Sequence, residues 1–196
     1  MHSTSKKEAS RQRLVTAAGR AFRKHGFEGI GVDGLAKGAK LTSGAFYFHF
    51  PSKLHAFVEI LKVGLEDLKN TVQNFQTTDG QSWLPAFTAF YMGSRRTCDL
   101  SEGCALSALS SDVERAGYAA QSVYEAELFD LSSALAQGLE PGGNMTAREQ
   151  AWALLAMLSG GVTMARAVDD PALSDEIAAA VRKAIETQFH ARQIID

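Results

Sequence analysis

Apolar side chains recur every three or four positions along almost the whole chain, which is the spacing of one face of an α-helix. The clearest stripe is about six turns long and runs from Leu54 to Phe75. Glycine, proline and small polar residues interrupt the pattern where helices end and begin. The predicted helices cover residues 7–25, 32–39, 43–49, 52–79, 82–97, 104–115, 118–139, 147–168 and 173–192.

No segment alternates apolar and polar residues as a half-buried strand does, and the sequence contains no internal repeat. The expected fold is therefore all-α. Pro51 breaks the third helix, and "EPGGN" at 140–144 is the clearest linker. We expect a small three-helix domain over 1–51 and a larger helical domain over 52–196.

Charge divides the chain in the same way. Residues 1–53 hold ten Lys or Arg against three acids, a net charge of +7, and the remainder carries −9. An asymmetry of this kind indicates that the N-terminal end meets a polyanion. Chance scatter of solvated charge is the alternative.

Other chemistry is sparse in the sequence. "GIGVDG" at 29–34 spells a dinucleotide-binding pattern, but a helix precedes it where that site needs a strand. His and Cys lack metal-ligand spacing, and no nucleophile motif is present. We therefore expect no enzyme activity, no cofactor and no metal. With no signal peptide or apolar run of membrane length, a cytoplasmic protein is expected.

The stretch "LTSGAFYFHFPSK" at 41–53 carries the most specific signal. With the preceding short helix it has helix-turn-helix dimensions, and a recognition helix reads the major groove through its N-terminal side chains. Small residues there let the backbone approach DNA. Phe46 and Phe50 are expected to turn inward, whereas Tyr47, His49 and Lys53 are expected to contact phosphates.

This stretch, extended to residues 26–57, resembles the DNA-binding motif of TetR/AcrR-type transcriptional regulators, and "GGVTMARAVDDPALSDEI" at 160–177 resembles their C-terminal segments. The resemblance implies a homodimer that binds an operator in double-stranded DNA, acts as a repressor, and is released by a small, largely apolar effector. It implies DNA contacts at Val32, Thr42, Ser43, Ala45, Tyr47, His49 and Lys53.

Two positions depart from the family pattern. Gly31 stands where a hydroxyl residue usually caps the second helix, and glycine is still an acceptable cap. Lys40 stands where the family commonly has the turn glycine. If that position needs a positive φ, lysine costs about 1 kcal/mol.

The larger domain is expected to hold the effector and the dimer interface. Helix-spaced aromatic and aliphatic residues are expected to line an apolar pocket: Leu61, Leu65, Trp83, Phe87, Tyr91, Leu106, Leu109, Tyr124, Leu128 and Trp152. The last two helices are expected to pair across a two-fold axis as a four-helix bundle through Leu155, Leu158, Val162, Ile177, Val181, Ile185 and Phe189.

Three alternatives stay open. The aromatic residues at 83–91 are equally consistent with ordinary core. Cys98, close to Arg95 and Arg96, is either a small hydrophobe or a thiol activated for redox sensing, and Cys104 raises the same question. The protein could also be a helical small-molecule-binding protein or enzyme that has lost DNA binding.

Overall fold

The structure, a computed structural model, describes residues 2–142 and 144–191, with side chains from Lys6 onwards. The described part is α-helical and its only β-type pairing is two isolated bridges. The all-α expectation is confirmed. The helices are α1 (His2–His25), α2 (Val32–Gly38), α3 (Ser43–His49), α4 (Lys53–Asp79), α5 (Trp83–Met92), α6 (Ser94–Thr97), α7 (Ala105–Ala116), α8 (Tyr118–Gly138), α9 (Ala147–Ala167) and α10 (Pro171–Gln188).

The single helix predicted over 82–97 is wrong, because Gly93 divides it into α5 and α6. Gly93 has φ −102° and ψ −98°, which is not a helical conformation. A Cβ atom added there would lie 2.6 Å from the Ala89 carbonyl oxygen, so only glycine fits. The Arg96 side chain donates to the Met92 carbonyl oxygen at 2.8 Å and satisfies one of the exposed carbonyls that end α5.

Two compact units divide the chain. Unit 1 comprises the chain up to Gly64 together with Asp99–Glu125, and unit 2 comprises Leu65–Cys98 together with the chain from Ala126. Helices α4 and α8 each contribute to both units. Unit 1 contains the whole expected DNA-binding segment 1–51, and the functional boundary at residue 51 stays a prediction.

The three N-terminal helices of unit 1 share one buried core with the start of α4. The Phe57 ring on α4 lies 5.2 Å from that of Phe22 on α1 and 4.8 Å from that of Phe27. All three are buried, and Leu14, Leu35 and Phe46 extend the same core. Because α1, α2 and α3 share this core, the position of α3 is fixed by packing.

The turn between α2 and α3 is a Schellman motif built on Lys40. The Leu41 amide donates to the Ala36 carbonyl at 2.9 Å, and the Lys40 amide donates to the Lys37 carbonyl at 3.0 Å. Lys40 has φ +58°, a left-handed conformation that no other non-glycine residue of the described chain adopts. The suspected positive φ is therefore confirmed.

Replacing Lys40 with glycine is expected to stabilise unit 1 by about 0.5–1 kcal/mol, because left-handed strain disappears while some backbone entropy is lost. Lys37→Gly is the matched control. It removes the same exposed charge from the right-handed helix α2 and should cost about 1 kcal/mol. Urea unfolding followed by circular dichroism measures both changes, and a Lys40→Gly variant less stable than the parent contradicts the argument.

Unit 2 is organised around α9, which packs against α5, α6 and α10. Helices α9 and α10 approach closely at Gly161, where an added Cβ would lie 2.9 Å from a Val181 methyl. The buried Ser174 hydroxyl donates to the Ala165 carbonyl at 2.7 Å and joins the two helices at their connected ends. This packing leaves one face of each helix directed outward.

Candidate nucleic-acid interface

The N-terminus of α3 is held by its own polar side chains. Thr42 is the N-cap, and its hydroxyl oxygen accepts from the Ala45 amide at 3.2 Å. The Ser43 hydroxyl donates to the Asp33 carboxylate in the first turn of α2. The Thr42 hydroxyl keeps its proton to donate, and the Ser43 oxygen keeps lone pairs to accept, so both can still bond a base edge.

The aromatic run divides between core and surface. Phe46 is 0% exposed and Phe50 is 2% exposed, which confirms that both turn inward. Tyr47 and Phe48 are 56% and 67% exposed. Tyr47 can therefore present its hydroxyl to a phosphate, as expected from the sequence, while Phe48 presents a surface with no hydrogen-bonding group.

His49 is tied to α1 in this structure. Its Nε2 lies 2.8 Å from the Ser10 hydroxyl, and its Nδ1 is buried with no hydrogen-bond partner in the described chain. Burial lowers the pKa of His49, and the charges of Lys7 and Arg11 lower this pKa further. The lowered pKa favours the neutral ring. The phosphate contact of His49 stays a prediction and requires the Ser10 contact to be exchanged or shared.

Lys53 lies in the first turn of α4, where backbone N–H groups favour anions. Its ammonium donates to the Phe27 carbonyl oxygen at 2.9 Å and lies 4.3 Å from the centre of the Phe27 ring. An ammonium carries three protons, so two remain for a phosphate. Val32 opens α2 and is partly buried, with Gly31 as an N-cap that makes no side-chain bond.

Basic side chains also line a groove beside the turn between α2 and α3. A groove of about 820 Å³ runs along α1 and reaches Lys40, with Ala9, Ala17 and Ala21 among its small apolar lining residues. Arg13, Lys24 and Lys40 line it, and none of these three has an acidic partner among the residues that the structure describes. The positive charge counted in the sequence is thus largely uncompensated on this side of unit 1.

The residues expected to bind an effector fall in both units. Unit 1 contains Leu61, Leu106, Leu109 and Tyr124, and unit 2 contains Leu65, Trp83, Phe87, Tyr91, Leu128 and Trp152. In unit 2, the Trp83 indole donates to the Gly138 carbonyl at 3.1 Å, and the Phe87 ring contacts those of Phe75 and Tyr91. Trp83, Phe87 and Tyr91 are each at most 2% exposed, so an effector must displace packed side chains to reach them. Their assignment stays a prediction.

Most residues expected at the dimer interface are buried within the single chain. Ile177 and Val181 are partly exposed, whereas the other five have at most 5% exposure: Leu155, Leu158, Val162, Ile185 and Phe189. These five pack α9 and α10 into unit 2, and a contact with a second chain through them stays a prediction. The outward face of α9 carries Ala156, Gly160, Thr163, Met164 and Ala167, and that of α10 carries Leu173, Ile177, Ala180 and Ala184.

Two residues of the recognition helix are not among the contacts expected from the sequence. Gly44 enters that expectation only through its small size, and Phe48 is assigned to neither face. Helical geometry holds the missing signal, since both lie about 160° from the buried Phe46 at 100° per residue. They therefore form the outermost line of α3.

Membrane-spanning helices and clusters of metal ligands are both absent from the described chain. No helix there combines the length and apolarity that a membrane crossing requires. Nor do three or more His, Cys, Asp or Glu side chains within it cluster as metal ligands do.

Comparison with known proteins identifies the motif and the fold. The family model for bacterial regulatory proteins of the tetR family matches residues 14–60, which cover the second half of α1, all of α2 and α3, and the start of α4. No curated protein matches the chain by sequence. Among solved structures, reduced NemR of E. coli superposes with a TM-score of 0.80 at 18% identity, over 95% of this chain and 100% of that one.

Two further structures agree with this result. A TetR-family transcriptional regulator from Agrobacterium tumefaciens has a TM-score of 0.78 at 16% identity, over 93% of this chain and 98% of its own. A transcriptional regulator from Saccharomonospora viridis, solved in complex with choline, has a TM-score of 0.74 at 14% identity, over 95% and 100%. At these identities the structures show a shared fold, and the family model shows that residues 14–60 carry the N-terminal motif of the tetR family of bacterial regulatory proteins.

Proposed function

We propose that this protein is a ligand-responsive transcriptional repressor that binds a palindromic DNA operator as a homodimer. The observation that carries the proposal is the exposed N-terminus of α3, where the hydroxyls of Thr42 and Ser43 can reach bases. The exposed Tyr47 and the Lys53 ammonium are available to phosphates. The uncompensated cations along α1 supply the sequence-independent attraction. The competing function, a helical binding protein without DNA affinity, leaves this arrangement without a role.

Substitutions at a phosphate contact and at a base contact are expected to affect DNA binding differently. Lys53→Ala should weaken binding to all duplexes by a similar factor and reduce the dependence of affinity on salt, because a phosphate contact carries no base information. Thr42→Ala should change the preferred sequence instead. Fluorescence titration of the full chain against selected and scrambled duplexes measures both effects.

Lys53→Arg is the matched control. It keeps the positive charge that a phosphate requires while it changes the contacts with Phe27, so it separates the two effects. If Lys53→Ala leaves affinity and salt dependence at the parent's values, the phosphate contact is wrongly placed. Should the parent bind no duplex at low salt, the competing function is favoured.

The homodimer interface is proposed on the outward faces of α9 and α10. No charged residue occurs between Glu149 and Arg166, so the exposed face of α9 is apolar or small along four turns. Met164 is 56% exposed and Leu173 is 41% exposed, so these faces present large apolar side chains that a second chain would cover. A two-fold axis would place these faces against their copies and make a four-helix bundle.

The effector is proposed to be small and largely apolar, and to act in the aromatic cluster of unit 2. The Phe75 ring contacts those of Phe87 and Phe90 on α5. Next to them in sequence, Thr88 is 0% exposed and its hydroxyl has no hydrogen-bond partner in the described chain. One unsatisfied hydroxyl in an apolar region suits a ligand with one polar group. The relative solved with choline shows a small molecule bound by a protein of this fold.

Thr88→Val tests whether the Thr88 hydroxyl is the polar group that meets the effector. The first measurement is the stability of the variant, which needs no effector. Removing an unsatisfied buried hydroxyl should leave stability unchanged or raise it by about 1 kcal/mol. The effector, once found by thermal-shift screening, should bind the variant more weakly and release DNA less effectively. In the parent, saturating effector should weaken operator binding by about 5–150-fold; equal operator affinities with and without it would remove this cluster from regulation.

A further inference from the structure

The outermost line of the recognition helix consists of Gly44 and Phe48. They are one helical turn apart, and both lie opposite Phe46, which is buried. Phe48 is 67% exposed, an unusual state for a phenyl ring on a helix otherwise anchored by buried aromatics. An exposed apolar side chain on the outermost line of the proposed recognition helix is therefore a candidate for direct contact with DNA.

The Phe48 ring is positioned by its neighbours. The Lys7 ammonium of α1 lies 5.0 Å from the ring centre, and the His49 ring meets it edge-on at 5.1 Å. Side chains of a helix lean toward its N-terminus, so this ring covers the turn that carries Gly44. A Cβ added to Gly44 would meet nothing closer than the Thr42 hydroxyl at 3.8 Å, so the space in front of Gly44 is open.

A phenyl ring cannot hydrogen-bond a base, and the apolar feature that a base pair presents in the major groove is the C5-methyl group of thymine. We propose that Phe48 is a specificity-determining residue that packs on a thymine methyl in each half-site, with Gly44 allowing the backbone to approach closely enough. Lys7, beside the ring, is then placed at the adjoining phosphate. This inference rests on the proposed DNA binding and names the base group that is read.

Exchanging thymine for deoxyuridine tests the contact directly, because it removes the methyl and keeps every hydrogen bond. The probe is the duplex that the full-length chain selects from a random library, with each thymine replaced symmetrically in both half-sites. For the parent, at least one replacement should weaken binding about fourfold per half-site, the value of burying one methyl-sized group, and hence about 15-fold for the duplex. In Phe48→Ala the same replacement should change nothing.

Two controls isolate the ring. Phe48→Leu keeps an apolar side chain and should retain part of the penalty. Where a thymine instead contacts the Ala45 methyl, its replacement by deoxyuridine should weaken binding of Phe48→Ala as much as that of the parent. If every deoxyuridine penalty is the same in Phe48→Ala as in the parent, the inference is overturned while DNA binding stands. A chain that selects no duplex overturns both.

Discussion

Phe46→Ala is expected to lower the free energy of unfolding by about 3–5 kcal/mol, because it empties a fully buried site. The Phe46 ring is 0% exposed and lies 5.6 Å from that of Phe50 and 5.5 Å from that of Tyr47. A loss of this size is a large part of the stability of an ordinary domain. Helix α3 should lose its fixed position, and operator binding should disappear with it.

Phe48→Ala, two residues along the same helix, is the matched control. Phe48 is exposed, so its replacement should change stability by no more than about 0.5 kcal/mol while still weakening sequence-specific binding. Urea unfolding of the full chain followed by circular dichroism separates the two variants. Equal stability losses would mean that the division of the aromatic run between core and surface is wrong.

Ala180→Asp is expected to dissociate the proposed homodimer. Ala180 is exposed and lies in line with Leu173, Ile177 and Ala184 on the outward face of α10. In a two-fold interface each copy contributes its carboxylate, and burying an unpaired charge costs several kcal/mol. A penalty of about 3 kcal/mol raises the dimer dissociation constant more than a hundredfold.

Ala179→Asp provides the comparison, since Ala179 is also an exposed alanine but points about 100° away from Ala180. It should leave the assembly unchanged. Sedimentation velocity over a range of concentrations measures the mass of parent and variants, with circular dichroism as the check on folding. A parent that sediments as a monomer would contradict the homodimer, and variants that dissociate equally would place the interface elsewhere.

Helix positions could be predicted from the sequence because caps and breakers act locally. The boundaries of α3 follow from Thr42 and Pro51, and the structure has Ser43–His49 as predicted. Lys40 could be singled out as a possible left-handed residue because it stands where the family pattern has the turn glycine. The break at Gly93 could not, because a glycine within a helical pattern is often tolerated and the deciding contact is the approach of the Ala89 carbonyl.

The candidate sites could be predicted only in part, for a physical reason. Periodicity identifies apolar positions, but it does not tell an apolar face packed inside the chain from one that awaits a partner. On α10 the same pattern gives Ile185, which is 0% exposed, and Leu173, which is 41% exposed. In the recognition helix, hydrogen-bonding chemistry points to Thr42, Ser43 and Tyr47. This criterion passes over Phe48, whose side chain has no hydrogen-bonding group.

Operator binding by a dimer of the helix-turn-helix unit can be tested with the purified full-length chain. The chain first selects duplexes from a random library, and the selected duplex is then titrated at increasing salt. The selected duplexes are expected to share an inverted repeat with half-sites about one helical turn (~34–36 Å) apart, bound by two chains. The logarithm of the affinity should fall steeply and linearly with the logarithm of the salt concentration, because phosphate contacts release counterions. Selection of no common sequence, or an affinity unchanged by salt, would contradict this mode of operator binding.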